Sequence, residues 1–382
     1  MRILFIDPSF YSNRIVSGGM EKYLWKLICG LKKRHSVSIL IPQEYNVSIK
    51  DVSVYYYIRH PNQILSYPIS LLSFFITFTR IVIRERPQIV SNFLPNLGTA
   101  IVFPLAKIFG MKTFLNFRGF PEDPSSLLTR LIYVFNNITY FFTDGLIANA
   151  KELFSKYQKV ILFGHDFYKS IPKYYVPNAI KASFWRVDLS NRKLSYDLCF
   201  SGNIYNKKRI ELKGIRYLFQ ALKLIDSKHK KKLRVLMLGE YSLAALKKNI
   251  ENFSPEYFEF KGLIKNRSEL RTYYASSKIF VLSSISEGMP NALMESLSVG
   301  VPCISSDVGA IRDLIDNGVN GFVIPAKNSA ELSEKIWLLL NDLPMQKRFI
   351  LMSQEKMAKK FSWKHNILNV ERLYSSFINN NK

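Results

Sequence analysis

The sequence predicts an α/β protein built from two doubly wound domains, each with its own parallel sheet. Short apolar runs alternate with longer segments of helical periodicity, which is typical of buried parallel strands joined by helices. The alternation fills the first half of the chain and resumes after a turn-like stretch over 175–195. The 382 residues, 48% of them hydrophobic, suffice for two separate cores. We expect an N-terminal domain over 1–185 and a C-terminal domain over 186–360.

Six apolar runs predict strands in the first half. The opening MRILFIDPSF lacks the regions of a secretory signal and predicts a first strand that runs into a loop. Between the first two strands, Met20–Arg34 has an apolar face and carries Glu21 in its first turn, which predicts a helix. The predicted strands are Ile3–Asp7, Val37–Ile41, Val52–Tyr56, Ile89–Phe93, Thr113–Phe117 and Leu146–Asn149.

The second half repeats this organisation. Helices of ordinary length separate its strands, and two helices, 329–341 and 344–360, are expected to close the domain. No fixed-period repeat or low-complexity tract occurs, so a solenoid is not indicated. The predicted strands are Leu198–Ser201, Leu233–Leu238, Phe258–Gly262, Ile279–Ser283, Cys303–Ser306 and Phe322–Ile324.

One apolar segment admits two interpretations. Residues 62–79 carry no charge, and Ile64–Ile83 is nearly long enough for a membrane span. Arg80 interrupts the run, and the alternating pattern needs a covering helix before the strand at Ile89. We therefore expect a helix packed within a soluble fold. An exposed part would form an interfacial helix with arginines at the lipid headgroups. Ser125–Thr143 allows the same two interpretations.

The net charge of +25 predicts an anionic partner. No zinc-finger spacing, RNP-like motif or basic zipper occurs, so no nucleic-acid partner is predicted. An anionic membrane surface explains the charge as well, and a basic surface that serves solubility remains the alternative for each cluster alone. The basic clusters are Lys32–Arg34, Arg80–Arg86, Lys207–Arg209, Lys228–Lys232 and Lys359–Lys360.

Cysteine and histidine positions give no sign of a metal site or a disulfide framework. Cys29, Cys199 and Cys303 are far apart in sequence, and none of the five histidines has metal-ligand spacing. We predict no metal and no cofactor, and a reducing cytosol fits this cysteine usage. Walker and GxSxG motifs are also absent from the sequence.

The most informative stretch is SEGMPNALMESLSVG, residues 286–300. Pro290 is typical of a first helical position, and Gly288 before it allows a tight approach. The first turn, 290–293, would present unpaired N–H groups and the positive end of a helix dipole, which suit a diphosphate. Glu287 then lies in the loop above, and Glu295 about one and a half turns inside the helix. As an alternative, both glutamates are ordinary surface charges.

This stretch belongs to a longer block that resembles the retaining glycosyltransferases of family 4. The block consists of the two glutamates, GVPCIS from Gly300, Asp307, Gly309 and DNGVNG over 316–321. The resemblance is strong over about 280–325 and weaker over the remaining chain. It implies the GT-B fold, with two Rossmann-like domains facing a central cleft. It also implies an acceptor-binding first domain, completed by a C-terminal helix of about 361–382, and a second domain that binds the nucleotide sugar.

The resemblance assigns further donor-binding residues. Gly18 and Gly19 line the cleft, and Lys213 meets the donor diphosphate. Asn203, after Gly202, stands where arginine is usual, so Lys207, Lys208 or Arg209 would supply the missing cation. The full set of expected donor-binding residues is Gly18, Gly19, Gly202, Asn203, Arg209, Lys213, Glu287, Gly288, Met289, Pro290, Asn291, Ala292 and Glu295.

Arg118 follows a predicted strand at its carboxyl end, where open α/β sheets bind ligands. Many relatives have histidine in this loop. An arginine cannot act as a general base at neutral pH, so Arg118 would bind the acceptor or the leaving phosphate. We count Glu287, Lys213 and Arg118 as catalytic candidates. Asn178 resembles a hinge residue before the second domain.

The sequence thus predicts transfer of a sugar, with retention, from a nucleotide-diphosphate sugar, with UDP or GDP as the carrier. The expected acceptor is a glycan or lipid-linked oligosaccharide in bacterial surface polysaccharide assembly. The expected location is the cytoplasm, on the inner face of the cell membrane. Two alternatives remain open: a catalytically silent protein of this fold that binds a polyanion, and a sugar-nucleotide epimerase.

Overall fold

The chain divides into two compact units, Met1–Asn178 with Trp363–Lys382, and Ala179–Ser362. The computed structural model describes residues 1–6, 19–45, 47–58, 67–93, 97–118, 138–156, 161–162, 165–166, 170–188 and 193–379. The chain passes from the first unit to the second after Asn178, whereas the sequence predicts this boundary at residue 185.

The first unit contains a seven-stranded parallel sheet in the order β3-β2-β1-β4-β5-β6-β9. A separate antiparallel pair is formed by β7 (Ile161–Leu162) and β8 (His165–Asp166). The sheet strands are β1 (Arg2–Ile6), β2 (Ser36–Pro42), β3 (Ser53–Tyr57), β4 (Ile89–Phe93), β5 (Lys112–Phe117), β6 (Gly145–Ala148) and β9 (Lys173–Tyr175). The helices are α1 (Gly19–Leu31), α2 (Tyr67–Glu85), α3 (Leu97–Ile108), α4 (Lys151–Lys156) and α14 (Trp363–Asn379).

The C-terminal helix α14 packs into the core of this first unit. The ring of Tyr374 lies 4.9 Å from that of Phe114 in β5, between centroids, and its hydroxyl donates to Ser91 Oγ in β4 at 2.8 Å. Tyr23 in α1 donates to Asn366 in α14 at 3.0 Å. Buried contacts and paired polar groups together attach the end of the chain to the first sheet.

The second unit contains a six-stranded parallel sheet in the order β12-β11-β10-β13-β14-β15. Its strands are β10 (Tyr196–Ser201), β11 (Val235–Leu238), β12 (Phe258–Gly262), β13 (Ser277–Leu282), β14 (Cys303–Ser306) and β15 (Phe322–Ile324). Its helices are α5 (Ala182–Trp185), α6 (Lys207–Leu212), α7 (Ile215–His229), α8 (Leu243–Asn249), α9 (Arg267–Ala275), α10 (Asn291–Val299), α11 (Ile311–Leu314), α12 (Ser329–Asn341) and α13 (Leu343–Lys360).

The central strands of both sheets are buried along their whole length, as β4 and β11 illustrate. Burial on both faces explains why these strands are continuously apolar in sequence and not alternating. The prediction of two doubly wound α/β domains is confirmed. In the second sheet the strand order reverses between β10 and β13, and ligands of such sheets bind at the carboxyl ends of the strands beside that point.

Three local expectations differ from the structure. The first helix ends at Leu31 and not at Arg34, because Ser36 already donates to Met1 O to begin β2 and residues 32–34 form the turn. The edge strand β9 was missed, since three residues are too few to show a periodicity. The stretch expected to be turn-like contains the short helix α5.

The apolar segment 67–85 is helical, and the side chains of Phe74 and Phe78 are buried in the first unit. This agrees with the packed-helix interpretation. Over the described ranges, no helix has both the length and the apolar character that crossing a bilayer requires. Most of the second apolar segment, up to residue 137, lies outside the described residues.

Candidate active site

The candidate site of the second unit lies at the carboxyl ends of β10 and β13, where the strand order reverses. Gly202 and Asn203 follow β10, and the Ser283–Glu287 loop follows β13. The two strands pair in parallel, with Leu198 opposite Ile279. Because parallel strands end at the same edge of a sheet, the two loops are brought together there.

An ion pair between Lys213 and Glu287 is the central feature of this edge. Lys213 Nζ lies 2.5 Å from Glu287 Oε1, and the same oxygen accepts a hydrogen bond from Ser284 Oγ at 2.7 Å. Only 16% of the lysine side chain and 11% of the glutamate side chain are exposed. Charged groups so far removed from water interact more strongly than a surface pair, so each holds the other in place.

The backbone around Gly214 fixes the position of Lys213. Lys213 directly follows α6 as its C-cap, and Gly214 directly precedes α7 as its N-cap, with φ of 60°. A Cβ at Gly214 would lie 1.9 Å from Ser283 O, and Ser283 Oγ donates to Lys213 O at 3.1 Å. Only glycine combines this left-handed conformation with so close an approach. The Lys213–Gly214 dipeptide is therefore packed directly against the loop that carries Glu287.

Gly202 and Asn203, directly after β10, also contact the residues around this ion pair or the neighbouring strand end. A Cβ at Gly202 would come within 3.3 Å of Lys213 Cε. Asn203 Oδ1 accepts a hydrogen bond from Glu240 N at 3.1 Å, after β11. Asn203 therefore joins two neighbouring strand ends, which is a structural use of the position where the resembled family usually has arginine.

The helix α10 begins at Asn291, one residue later than expected. Pro290 precedes it with φ of −72° and ψ of 119°, which is extended backbone. The side chain of Pro290 offers no acceptor at this end, and the first turn of a helix carries N–H groups that have no partner within the helix itself. Gly309, in the loop after β14, packs directly against the backbone of Glu287, because a Cβ at Gly309 would lie 2.1 Å from Glu287 O. Gly288 O accepts from Ala310 N at 2.8 Å.

Glu295 lies inside α10 and contacts two side chains of α9. It accepts a hydrogen bond from Tyr274 at 3.2 Å, and Arg267 Nη2 lies 3.7 Å from its other oxygen. Burial, and after it the negative charge of Glu295, raises the pKa of Tyr274 well above its usual value. The phenol therefore stays protonated and serves as a donor to the carboxylate.

Arg118 belongs to the first unit, after β5. Its Nη1 donates to Val176 O at 2.7 Å, and its guanidinium lies 3.8 Å from the centroid of the Tyr23 ring. Burial lowers the pKa of Arg118. Two of its nitrogens, Nε and Nη2, are buried and have no hydrogen-bond partner in the described part of the chain. The remaining hydrogen bond of Nη1 goes to Asn178 Oδ1, at 3.4 Å.

The other expected residues take varied positions. Gly18 lies outside the described residues, and Gly19 is the first residue of α1. Met289 is buried. Gly288 and Ala292 are partly exposed, and Asn291 is exposed. Arg209 is exposed in the middle of α6. In the described ranges, no three His, Cys, Asp or Glu side chains are grouped so that they could hold a metal.

Ser284, Tyr274 and Arg267 were not predicted from the sequence. Ser284 could have been found, because it is a small polar residue directly after a buried strand and three residues before Glu287. Tyr274 and Arg267 are brought to Glu295 only by the packing of α9 on α10, which has no local signature.

A family model for group 1 glycosyl transferases matches residues 195–342, which include Lys213 and both glutamates. Over these residues the chain carries a group 1 glycosyltransferase domain. The capsular polysaccharide biosynthesis glycosyltransferase CapM of Staphylococcus aureus is 24% identical to it over 315 residues, or 77% of this chain and 78% of CapM. An N,N'-diacetylbacillosaminyl-diphospho-undecaprenol alpha-1,3-N-acetylgalactosaminyltransferase of Campylobacter jejuni is 22% identical over 83% of this glycosyltransferase and 85% of the relative.

Among solved structures, Anabaena HepE in complex with UDP matches this glycosyltransferase with a TM-score of 0.72 and 14% identity. The match covers 98% of this chain and 100% of the HepE chain. At this identity the likeness concerns the fold. The predicted GT-B class, with two Rossmann-like domains, is confirmed.

Proposed function

We propose that this glycosyltransferase is a retaining, metal-independent enzyme of family 4. It moves a sugar from a nucleotide-diphosphate sugar to a hydroxyl of a glycan or lipid-linked acceptor. The observation that carries the proposal is the Lys213–Glu287 ion pair at the point where the second sheet reverses its strand order, next to the start of α10. A cation, helix N–H groups and a carboxylate are thereby grouped at one sheet edge.

The donor diphosphate is assigned to Lys213 and the first turn of α10. Negative charge builds up on the departing diphosphate while the sugar becomes oxocarbenium-like. A fixed ammonium and the positive end of a helix dipole stabilise that charge without a metal. The ion pair with Glu287 holds the Lys213 ammonium in place before the donor arrives, so little reorganisation is needed during the reaction.

The two carboxylates are assigned to the two sugars of the donor. Glu287 accepts hydrogen bonds from hydroxyls of the transferred sugar, and Glu295 accepts them from the ribose. Tyr274 and Arg267 support this role, because they hold the Glu295 carboxylate from one side. UDP or GDP is the proposed carrier, and the UDP bound to HepE favours UDP.

Arg118 is assigned to the acceptor or to the leaving phosphate. Its two buried nitrogens without a partner in the described chain support this, because an unpaired buried donor is costly and an incoming oxygen would satisfy it. The acceptor is assigned to the first unit. The names of CapM and of the diphospho-undecaprenol transferase favour a lipid-linked glycan of surface polysaccharide assembly. Such an acceptor places the enzyme in the cytoplasm, at the inner face of the membrane.

A donor screen tests the proposal. Release of the nucleoside diphosphate from UDP-, GDP- and ADP-sugars is measured with the wild type, Glu287→Ala and Glu295→Ala. The exposed Glu334 in α12 provides a matched control, Glu334→Ala. We expect one nucleotide to be preferred and both site variants to lose activity while the control keeps it. Equal activity of all four proteins would remove the assigned roles, and a donor sugar altered without release of the diphosphate would indicate an epimerase.

A further inference from the structure

The helix α2 of the first unit has a second apolar face that is exposed. One side of the helix is buried, with Phe74, Phe78 and Ile81 in the core. The opposite side carries five large apolar side chains with exposed fractions of 36% or more, Ile69, Leu72, Phe75, Ile76 and Ile83. At 3.6 residues per turn, these five positions fall within one stripe of about 120°. A surface helix of a soluble protein normally has polar residues there.

Two arginines border this stripe. Phe75, Ile76 and Ile83 line a shallow surface groove together with Arg80 and Arg84. By the same repeat, both arginines fall on one flank of the apolar stripe and not on the buried side. Contiguous exposed apolar surface with a basic border is typical of helices that lie in the plane of a bilayer.

We infer that this face of α2 docks on the surface of an anionic lipid bilayer. The five apolar side chains enter the boundary between headgroups and acyl chains, and Arg80 and Arg84 contact the phosphates. The charge of the whole chain, +25, favours an anionic surface over a neutral one, because juxtaposed basic residues are attracted to acidic lipids. The helix lies along the surface, since it is too polar on its flank and too firmly packed on its other side to enter the bilayer core.

Vesicle flotation of the full chain tests the docking surface. The probes are vesicles of phosphatidylcholine alone and vesicles that also contain phosphatidylglycerol. We expect the wild type to float with the anionic vesicles and to remain largely unbound with the neutral ones. Ile76→Glu with Ile83→Glu changes two side chains that are 49% and 71% exposed. We therefore expect this variant to fold like the wild type and to lose binding.

A matched control separates the position from the added charge. Leu343→Glu with Leu351→Glu adds the same two charges at side chains of the second unit that are each 64% exposed, and it is expected to bind like the wild type. Arg80→Gln with Arg84→Gln should weaken binding by about fivefold for each arginine, which corresponds to about 1 kcal/mol per basic residue near an anionic surface. Lys247→Gln with Lys248→Gln, two exposed lysines of α8, is the control for that pair.

The inference fails if the Ile76 and Ile83 variant floats as well as the wild type, or if the wild type binds neutral and anionic vesicles equally. It also fails if light scattering shows a wild-type dimer that this variant abolishes, because the face would then be an interface between copies. Vesicle binding needs no turnover, so its outcome is independent of the proposed glycosyl transfer. Release of the diphosphate from a soluble donor tests that activity separately.

Discussion

Replacing Lys213 by methionine removes the ammonium and keeps the length of the side chain. Lys213 and Glu287 lie 2.5 Å apart and are mostly buried, so the variant leaves a carboxylate without its cation. For removal of one transition-state donor of this kind, we expect kcat/KM to fall by about 10²–10³-fold, or about 3–4 kcal/mol in activation free energy. The expected loss in unfolding free energy is smaller, about 1–3 kcal/mol, because Glu287 keeps the Ser284 hydroxyl and some contact with water.

The double variant Lys213→Met with Glu287→Gln separates stability from catalysis. Since the neutral amide no longer leaves a charge unpaired, the double variant should be more stable than Lys213→Met alone, although its activity stays low. The assays are urea unfolding and donor turnover, combined as a double-mutant cycle. Additive losses of stability in the two single variants, or a Lys213→Met enzyme with activity close to the wild type, would refute the reasoning.

Two further substitutions test how the site is held in place. Gly214→Ala should destabilise the protein by more than about 2 kcal/mol, since its Cβ would lie 1.9 Å from Ser283 O. Gly110→Ala, with φ of 70° and open space around it, should cost only about 1 kcal/mol; similar losses in urea unfolding would contradict the close approach. Tyr274→Phe removes the hydrogen bond to Glu295 and should raise the KM for the donor, with a stability loss of about 1 kcal/mol. An unchanged KM would show that Tyr274 has no part in donor binding.

The sequence predicted the architecture well because the buried strands are its strongest signal. Runs such as Phe258–Gly262 and Cys303–Ser306 are strands with the predicted bounds. Strand β9 was missed because it owes its conformation to pairing with β6 and not to its own composition. The start of α10 was misplaced by one residue, since proline suits both the first helical position and the extended residue before it.

The candidate site was predictable where its residues are neighbours in sequence or close a strand. The loop from Gly288 to Asn291 could be located in this way. The contact of Lys213 with Glu287 joins residues 74 positions apart and was not predicted. The family resemblance assigned each residue to the donor site separately, without an ion pair between them. The structural role of Asn203, which pairs with the backbone after β11, depends on strand order and could not be read from the sequence.

Calorimetric titration with UDP, UMP, GDP and GMP tests the proposed diphosphate site itself. If Lys213 and the start of α10 hold a diphosphate, the diphosphate of the preferred base should bind at least about tenfold more tightly than its monophosphate, which is about 1.4 kcal/mol. That advantage should disappear in Lys213→Met. Equal binding of diphosphate and monophosphate by the wild type, or an advantage that survives in Lys213→Met, would contradict the account.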